Sequence, residues 1–188
     1  MQERSTHLEV LFRSIDHIED AYALHFKALA DLYEEIVNLQ THLIDFSYMG
    51  GGAVPYRQPM PREKAIKLAP VMLGSAMIHG AVMLYGSLDL YLFRICASNY
   101  QSKEDLDRTW FNVNMLEIIT NVDPVTCLKW AEIDKLHKLW SHFVHAYDVT
   151  TTLTISDADL QTRFQDVRYF AADFEAALII KNPKARLR

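Results

Sequence analysis

THLEVLFRSIDHIEDAYALHFKALADLYEEIVNLQTHLIDF, residues 6–46, carries the clearest pattern in the chain. Leu8, Ile15, Tyr22, Leu29, Ile36 and Leu43 recur every seven residues, and Leu11, Ile18, His25, Leu32, Leu39 and Phe46 follow each of them three residues later. Six heptads without a Gly or Pro read as one long helix. Thr6 followed by Glu9 is a capping box, in which both side chains satisfy backbone donors left open by the first turn. The helix is therefore expected from His7 to Phe46. Phe12, Phe26 and Tyr33 flank the seam and widen it beyond the stripe of a two-stranded coil, so the helix should pack into a bundle. His25 is read as a seam imidazole hydrogen-bonded to a neighbouring helix.

Working outward, Met49 to Pro61 holds Gly50, Gly51, Gly52, Pro55, Pro59 and Pro61 and is expected to be an irregular loop. A short helical turn from Arg62 leads to Pro70, which suits the first turn of a further helix running to about Ser98. Within it, Leu68 to Leu88 is 21 residues without a formal charge. That length could cross a bilayer, but His79 at its centre and the apolar stripes of its neighbours favour a buried central helix. Gly74, Gly80 and Gly86, with Ser75, Ala76 and Ala81, are expected to let other helices approach it closely.

Ser102 with Asp105 opens another helical segment, with Leu106, Trp110, Val113, Leu116 and Ile119 inward, ending near Asn121. Asp123 caps, Pro124 takes the first helical position, and a helix continues to about Tyr147. Asp148 to Ile155 is rich in β-branched residues and allows a short extended piece. Ser156 with Asp159 restarts a helix whose stripe is Leu160, Phe164, Val167, Ala171, Phe174 and Leu178, ended by Asn182 and Pro183. The fold class is all-α, a bundle of about five helices framed by the long N-terminal one. One domain accounts for 188 residues at 50% hydrophobic content: a helical arm over 6–61, a core over 62–182 and a basic tail over 183–188.

Net charge is −5, and nine acids face three bases from Met1 to Gly50, which argues against non-specific phosphate binding by that half. Arg57, Arg62, Lys64 and Lys67 form one basic spot, and Lys181, Lys184, Arg186 and Arg188 another; both read as solvated charge. Cys96 and Cys127 lie in apolar surroundings without metal spacing and read as reduced core thiols. The first residues lack a signal-peptide pattern, so a cytoplasmic protein without a membrane anchor is expected. Phosphate loops, nucleophile elbows and zinc-protease motifs are absent.

The remaining chemistry lies in Asp134 to Asp148, DKLHKLWSHFVHAYD. Read as a helix, Ile133, Leu136, Trp140, Phe143 and Tyr147 form its buried stripe. Asp134, Lys138, Ser141, His142, His145 and Asp148 share the polar side. His-Ala-Tyr at 145–147, late in a helix and followed by a polar loop and a last amphipathic helix, resembles the Arg-Asn-x-x-x-His-x-Tyr region of HEPN domains. The resemblance covers roughly residues 67–182 and includes GSLDLYLFRI, which is similar to their long central helix.

The resemblance implies a helical bundle, commonly dimeric, whose active members cut RNA without metal. In them an Arg stabilises phosphate charge and a His moves the proton of the attacking 2′-hydroxyl. His145 matches that His, and Tyr147 matches as a supporting residue. The positions open to the Arg hold Trp140, Leu139 and Lys138, and the usual Asn position holds Ser141. Lys138 supplies charge without the two-pronged guanidinium fork.

Three readings follow. The favoured one is a HEPN-like protein without the full nuclease motif, a binding or assembly module in a toxin–antitoxin, phage-defence or signalling complex. Its partner is a homodimer mate or another protein, with RNA as a further option. The second is a metal-independent ribonuclease with catalytic set His145, His142, Lys138, Tyr147 and Ser141. The third is a metal-binding bundle using His142 and His145 with Asp148, His79 or His25. No cofactor is expected under the first two.

Overall fold

The computed structural model describes residues 5–38, 43–48, 56–99, 113–145 and 155–182. Among them are five α-helices: α1 (Thr6–Asn38), α2 (Arg62–Asn99), α3 (Val113–Thr120), α4 (Trp130–His145) and α5 (Asp157–Lys181). The fold is the expected all-α helical bundle, with one added element. A hairpin of β1 (Leu43–Tyr48) and β2 (Tyr56–Pro61) joins α1 to α2. The expectations for Leu106, Trp110, Tyr147, the 148–154 stretch and the 183–188 tail lie outside the described residues.

α1 starts one residue earlier than its capping signal implied. Ser5, not Thr6, is the cap: its hydroxyl accepts from the Leu8 N–H at 3.1 Å and its carbonyl from the Glu9 N–H at 3.1 Å. At its other end α1 stops at Asn38 rather than Phe46. Residues 43–48, LIDFSY, supply β-branched and aromatic residues and pair antiparallel with 56–61, in a register from Leu43↔Pro61 to Tyr48↔Tyr56. The heptad spacing survives into this strand only as a coincidence of apolar residues. Part of the expected loop is thus strand. Pro59 and Pro61 are two apart, so both missing N–H groups fall on the same edge of β2. The Arg62 guanidinium then donates to the carbonyls of Ile36 and Val37, a cation closing the C-terminal end of α1.

α2 is continuous from Arg62 through Pro70, so the expected break does not occur. Pro70 removes one i→i−4 bond and is exposed, while Ala65 and Ala69 beside it are buried. α2 contacts every other helix, but it is not the buried helix expected: only 33% of its apolar run is buried, and Leu68, Val71, Met72, Met83 and Leu90 are exposed. Leu84, Tyr85, Leu88, Leu92 and Ile95 on its inner side are fully buried. It is long and apolar enough to cross a membrane. Its small residues divide. Ala76, Gly80 and Ala81 are buried at close approaches, and a Cβ on Gly80 would meet Leu160 at 2.9 Å and Tyr22 at 3.0 Å. Ser75 is exposed, and Gly74 and Gly86 have nothing within 4 Å of such a Cβ.

α3 ends where Asn121 adopts φ 58°, a left-handed position Asn tolerates. Asp123 caps through the Val125 N–H at 2.9 Å, and Pro124 opens a 3₁₀ turn, Pro124–Thr126, rather than a full helix. Lys129 at φ 66° then redirects the chain into α4. The entire expected stripe of α5 is fully buried, joined by Phe170, and Ser156 caps it through the Asp159 N–H at 3.1 Å. Each such large side chain contributes roughly 1.5–3 kcal/mol of burial.

Two carboxylates are buried in α5. Glu175 accepts from the Ser5 N–H at 3.0 Å, from the Ser5 hydroxyl and from the Tyr91 hydroxyl at 3.3 Å, tying α1, α2 and α5 together. Asp166 takes Lys129 at 3.0 Å and Arg163 at 2.6 Å, which binds α5 to the start of α4. Arg168 reaches Asp16 at 2.6 Å and Glu19 at 2.8 Å, so two of the acids of α1 are engaged by α5.

Candidate functional sites

α4 is amphipathic, and its inner side is Ile133, Leu136 and Leu139, with Trp140 packed against the core. Phe143, expected in that stripe, is 56% exposed instead, and Val144 beside it is 45% exposed. Packing against α2 and α5 fixes the inner face through Trp140, and the last turn carries its apolar residues outward.

The residues expected on the polar side are partly brought together. Lys138 is an exposed cation bonded to Asp134 at 2.6 Å, one turn back on the same helix. Ser141 and His142 are half-buried. His145 is the last residue of α4, but its side chain lies outside the described part, as do Tyr147 and Asp148. Trp140, at one of the positions open to the Arg, packs on Tyr85 with centroids 5.3 Å apart, and Leu139 is buried. Neither position can present charge.

Behind this face is a cluster the motif reading passed over. His137 stacks on Tyr85 at 5.3 Å and 28°, and lies 6.2 Å from the ring of Trp140. Burial lowers the His137 pKa, opposed first by Asp134 and aided by Lys138. Burial first, then Asp89 and Asp134, push the Tyr85 phenol well up. Asp89, half-buried on α2, has its carboxyl raised from an ordinary 3.8 to about 6 by burial alone. One sequence signal pointed there: Asp89 is the first formal charge after the uncharged run ending at Leu88.

A second site lies between α1 and α2. His25, expected as a seam residue bonded to a neighbouring helix, is exposed, and it lines a pocket of about 270 Å³. From α1 the pocket takes His17, Ile18, Ala21, Tyr22 and His25; from α2 it takes Ala76, His79, Gly80 and Met83. The Tyr22 hydroxyl is turned away, donating to Asp157 at 2.8 Å, and burial raises its pKa first, then that bond. His17 and His25 are eight residues apart, roughly 12 Å along the helix, too far to share an ion whose ligands sit about 2 Å from it. Among the described residues, no group of three or more His, Cys, Asp or Glu side chains could hold a metal ion.

No protein-family model, curated protein or solved structure matches the chain.

Proposed function

We propose that the chain is a binding and assembly module on a HEPN-like bundle, lacking the full nuclease motif, that pairs with a second copy of itself through α2. A toxin–antitoxin, phage-defence or signalling complex in the cytoplasm is the setting this reading expects. The observation that carries it is the outer face of α2. Leu68, Met72, Ser75, His79, Met83, Gly86 and Leu90 follow at spacings of 4, 3, 4, 4, 3 and 4 residues, and all but the half-buried Gly86 are exposed. That is the spacing by which two helices mesh along a seam, and it spans about 33 Å of helix. It bears no formal charge over the 21 residues from Leu68 to Leu88.

Three features favour a second copy over other occupants. A regular seam is self-complementary about a two-fold axis. Ser75 and Gly86 are small and leave room for a close crossing. A chain of net charge −5 is also repelled by anionic lipid surfaces, which weighs against membrane docking. The ribonuclease reading is less favoured because Lys138, its substitute cation, is taken up by Asp134, and Trp140 and Leu139 are used in packing.

The test is sedimentation velocity on wild type and on Leu90→Glu, beside an RNA-cleavage assay in EDTA with wild type and His145→Ala. The proposal expects a dimer that Leu90→Glu dissociates and no RNA cleavage. A monomer at high concentration, binding to vesicles in place of dimerisation, or an EDTA-resistant cleavage lost in His145→Ala would each overturn it.

A further inference from the structure

We infer that the pocket between α1 and α2 is a binding site for a small monocarboxylic acid with a flat or short apolar body. Its volume of about 270 Å³ is near the lower end of ligand sites, which begin at roughly 300 Å³. Such a space suits one aromatic ring with a short side chain and excludes a nucleotide.

The lining has a division of chemistry that suits such an acid. Ile18, Ala21, Ala76 and Met83 supply an apolar wall, and Gly80 keeps it open where α2 comes closest to α1. The polar groups are the imidazoles of His17, His25 and His79, each able to donate an N–H; the Tyr22 hydroxyl is already given to Asp157. No carboxylate lines the pocket. Of the acids of α1 nearest in sequence, Asp16 and Glu19 are bonded to Arg168, and Asp20, one turn from His17, is not in the lining. α2 has no acid between Glu63 and Asp89. An imidazole N–H beside an apolar cavity whose lining holds no carboxylate favours a carboxylate head on an apolar body. A metal lacks converging ligands there.

The inference does not rest on self-association, although His79 and Met83 are shared with the outer face of α2. Calorimetry and ligand-observed NMR on the full chain would use a panel of monocarboxylates, from benzoate to 4-phenylbutyrate, each with its matched alcohol. At least one acid is expected to bind, at least tenfold more tightly than its alcohol. Ala21→Trp, at an exposed position, fills the cavity and should abolish that binding while leaving the fold, checked by circular dichroism, intact. Replacing His17, His25 and His79 together by Gln should erase the preference for acid over alcohol. Leu68→Glu/Leu90→Glu, at positions that do not line the pocket, should leave binding at least as tight, since self-association through α2 covers His79 and Met83. Failure of every acid to bind at millimolar concentration, equal binding of acid and alcohol, survival of binding in Ala21→Trp, or loss of binding in Leu68→Glu/Leu90→Glu would overturn the assignment.

Discussion

Glu175→Ala tests the way α1 is held to the bundle. The carboxylate is 3% exposed and accepts three hydrogen bonds, two from Ser5 and one from Tyr91. Removing it strands the Tyr91 hydroxyl, which is 2% exposed and retains only the long bond to the Ala171 carbonyl at 3.4 Å. An orphaned buried donor costs about 1–3 kcal/mol, and the lost Cγ methylene adds about 0.8 kcal/mol. Ser5, itself only 8% exposed, loses two acceptors in the same change, while releasing a buried charge offsets part of the loss. The net destabilisation is about 2–4 kcal/mol. Urea denaturation should show it as a lower midpoint with unchanged slope. A double-mutant cycle with Ser5→Ala should return a coupling of at least about 1 kcal/mol, and hydrogen exchange should accelerate in the first turns of α1. A destabilisation below about 1 kcal/mol with zero coupling would refute the argument that this carboxylate anchors the helix.

Asp89 sets a pH dependence. Its folded pKa, about 6, lies above an ordinary 3.8, so the folded state holds the extra proton between those values. Stability should fall as pH rises from about 4 to 6, and Asp89→Asn should remove that slope and stabilise the protein at pH 7. The gain is on the order of 1 kcal/mol after discounting for solvent screening of a half-exposed group; thermal melts across that range check it. Gly74→Ala and Gly80→Ala should have opposite signs: the first gains up to about 1 kcal/mol of helix propensity, whereas the second forces a methyl to 2.9 Å from Leu160 and costs about 1–3 kcal/mol before that gain is subtracted. Chemical denaturation midpoints of the two variants decide this. Burial raises the thiols of Cys96 to about 12 and of Cys127 to about 11, with Asp173 and Asp123 adding to the latter, so both should resist a disulfide reagent until the protein unfolds.

The fold was most legible where one physical rule acted alone. The α5 stripe, the Ser156 cap and the stop at Asn121 follow from local spacing and cap chemistry, and all appear in the structure. Legibility failed where two rules competed. Residues 43–46 continued a heptad, yet pairing with 56–61 won because it gave their backbone partners within a hairpin closed by Arg62. Pro70 read as a start, yet the apolar run on both sides carried α2 through it.

The candidate sites were less legible, because they form between helices. His137 and Tyr85 are 52 residues apart in sequence, and His79 is 54 from His25. No spacing rule relates such pairs. Sequence singled out His25 and His79 separately, and only the packing of α1 on α2 puts them on one cavity with His17.

The oligomeric state in solution bears most directly on the assembly proposal. Analytical ultracentrifugation at tens of micromolar should give twice the 21.7 kDa chain mass for wild type and the single mass for Leu68→Glu/Leu90→Glu, with identical helical content. A wild-type monomer, or a dimer indifferent to both substitutions, would contradict self-association through α2.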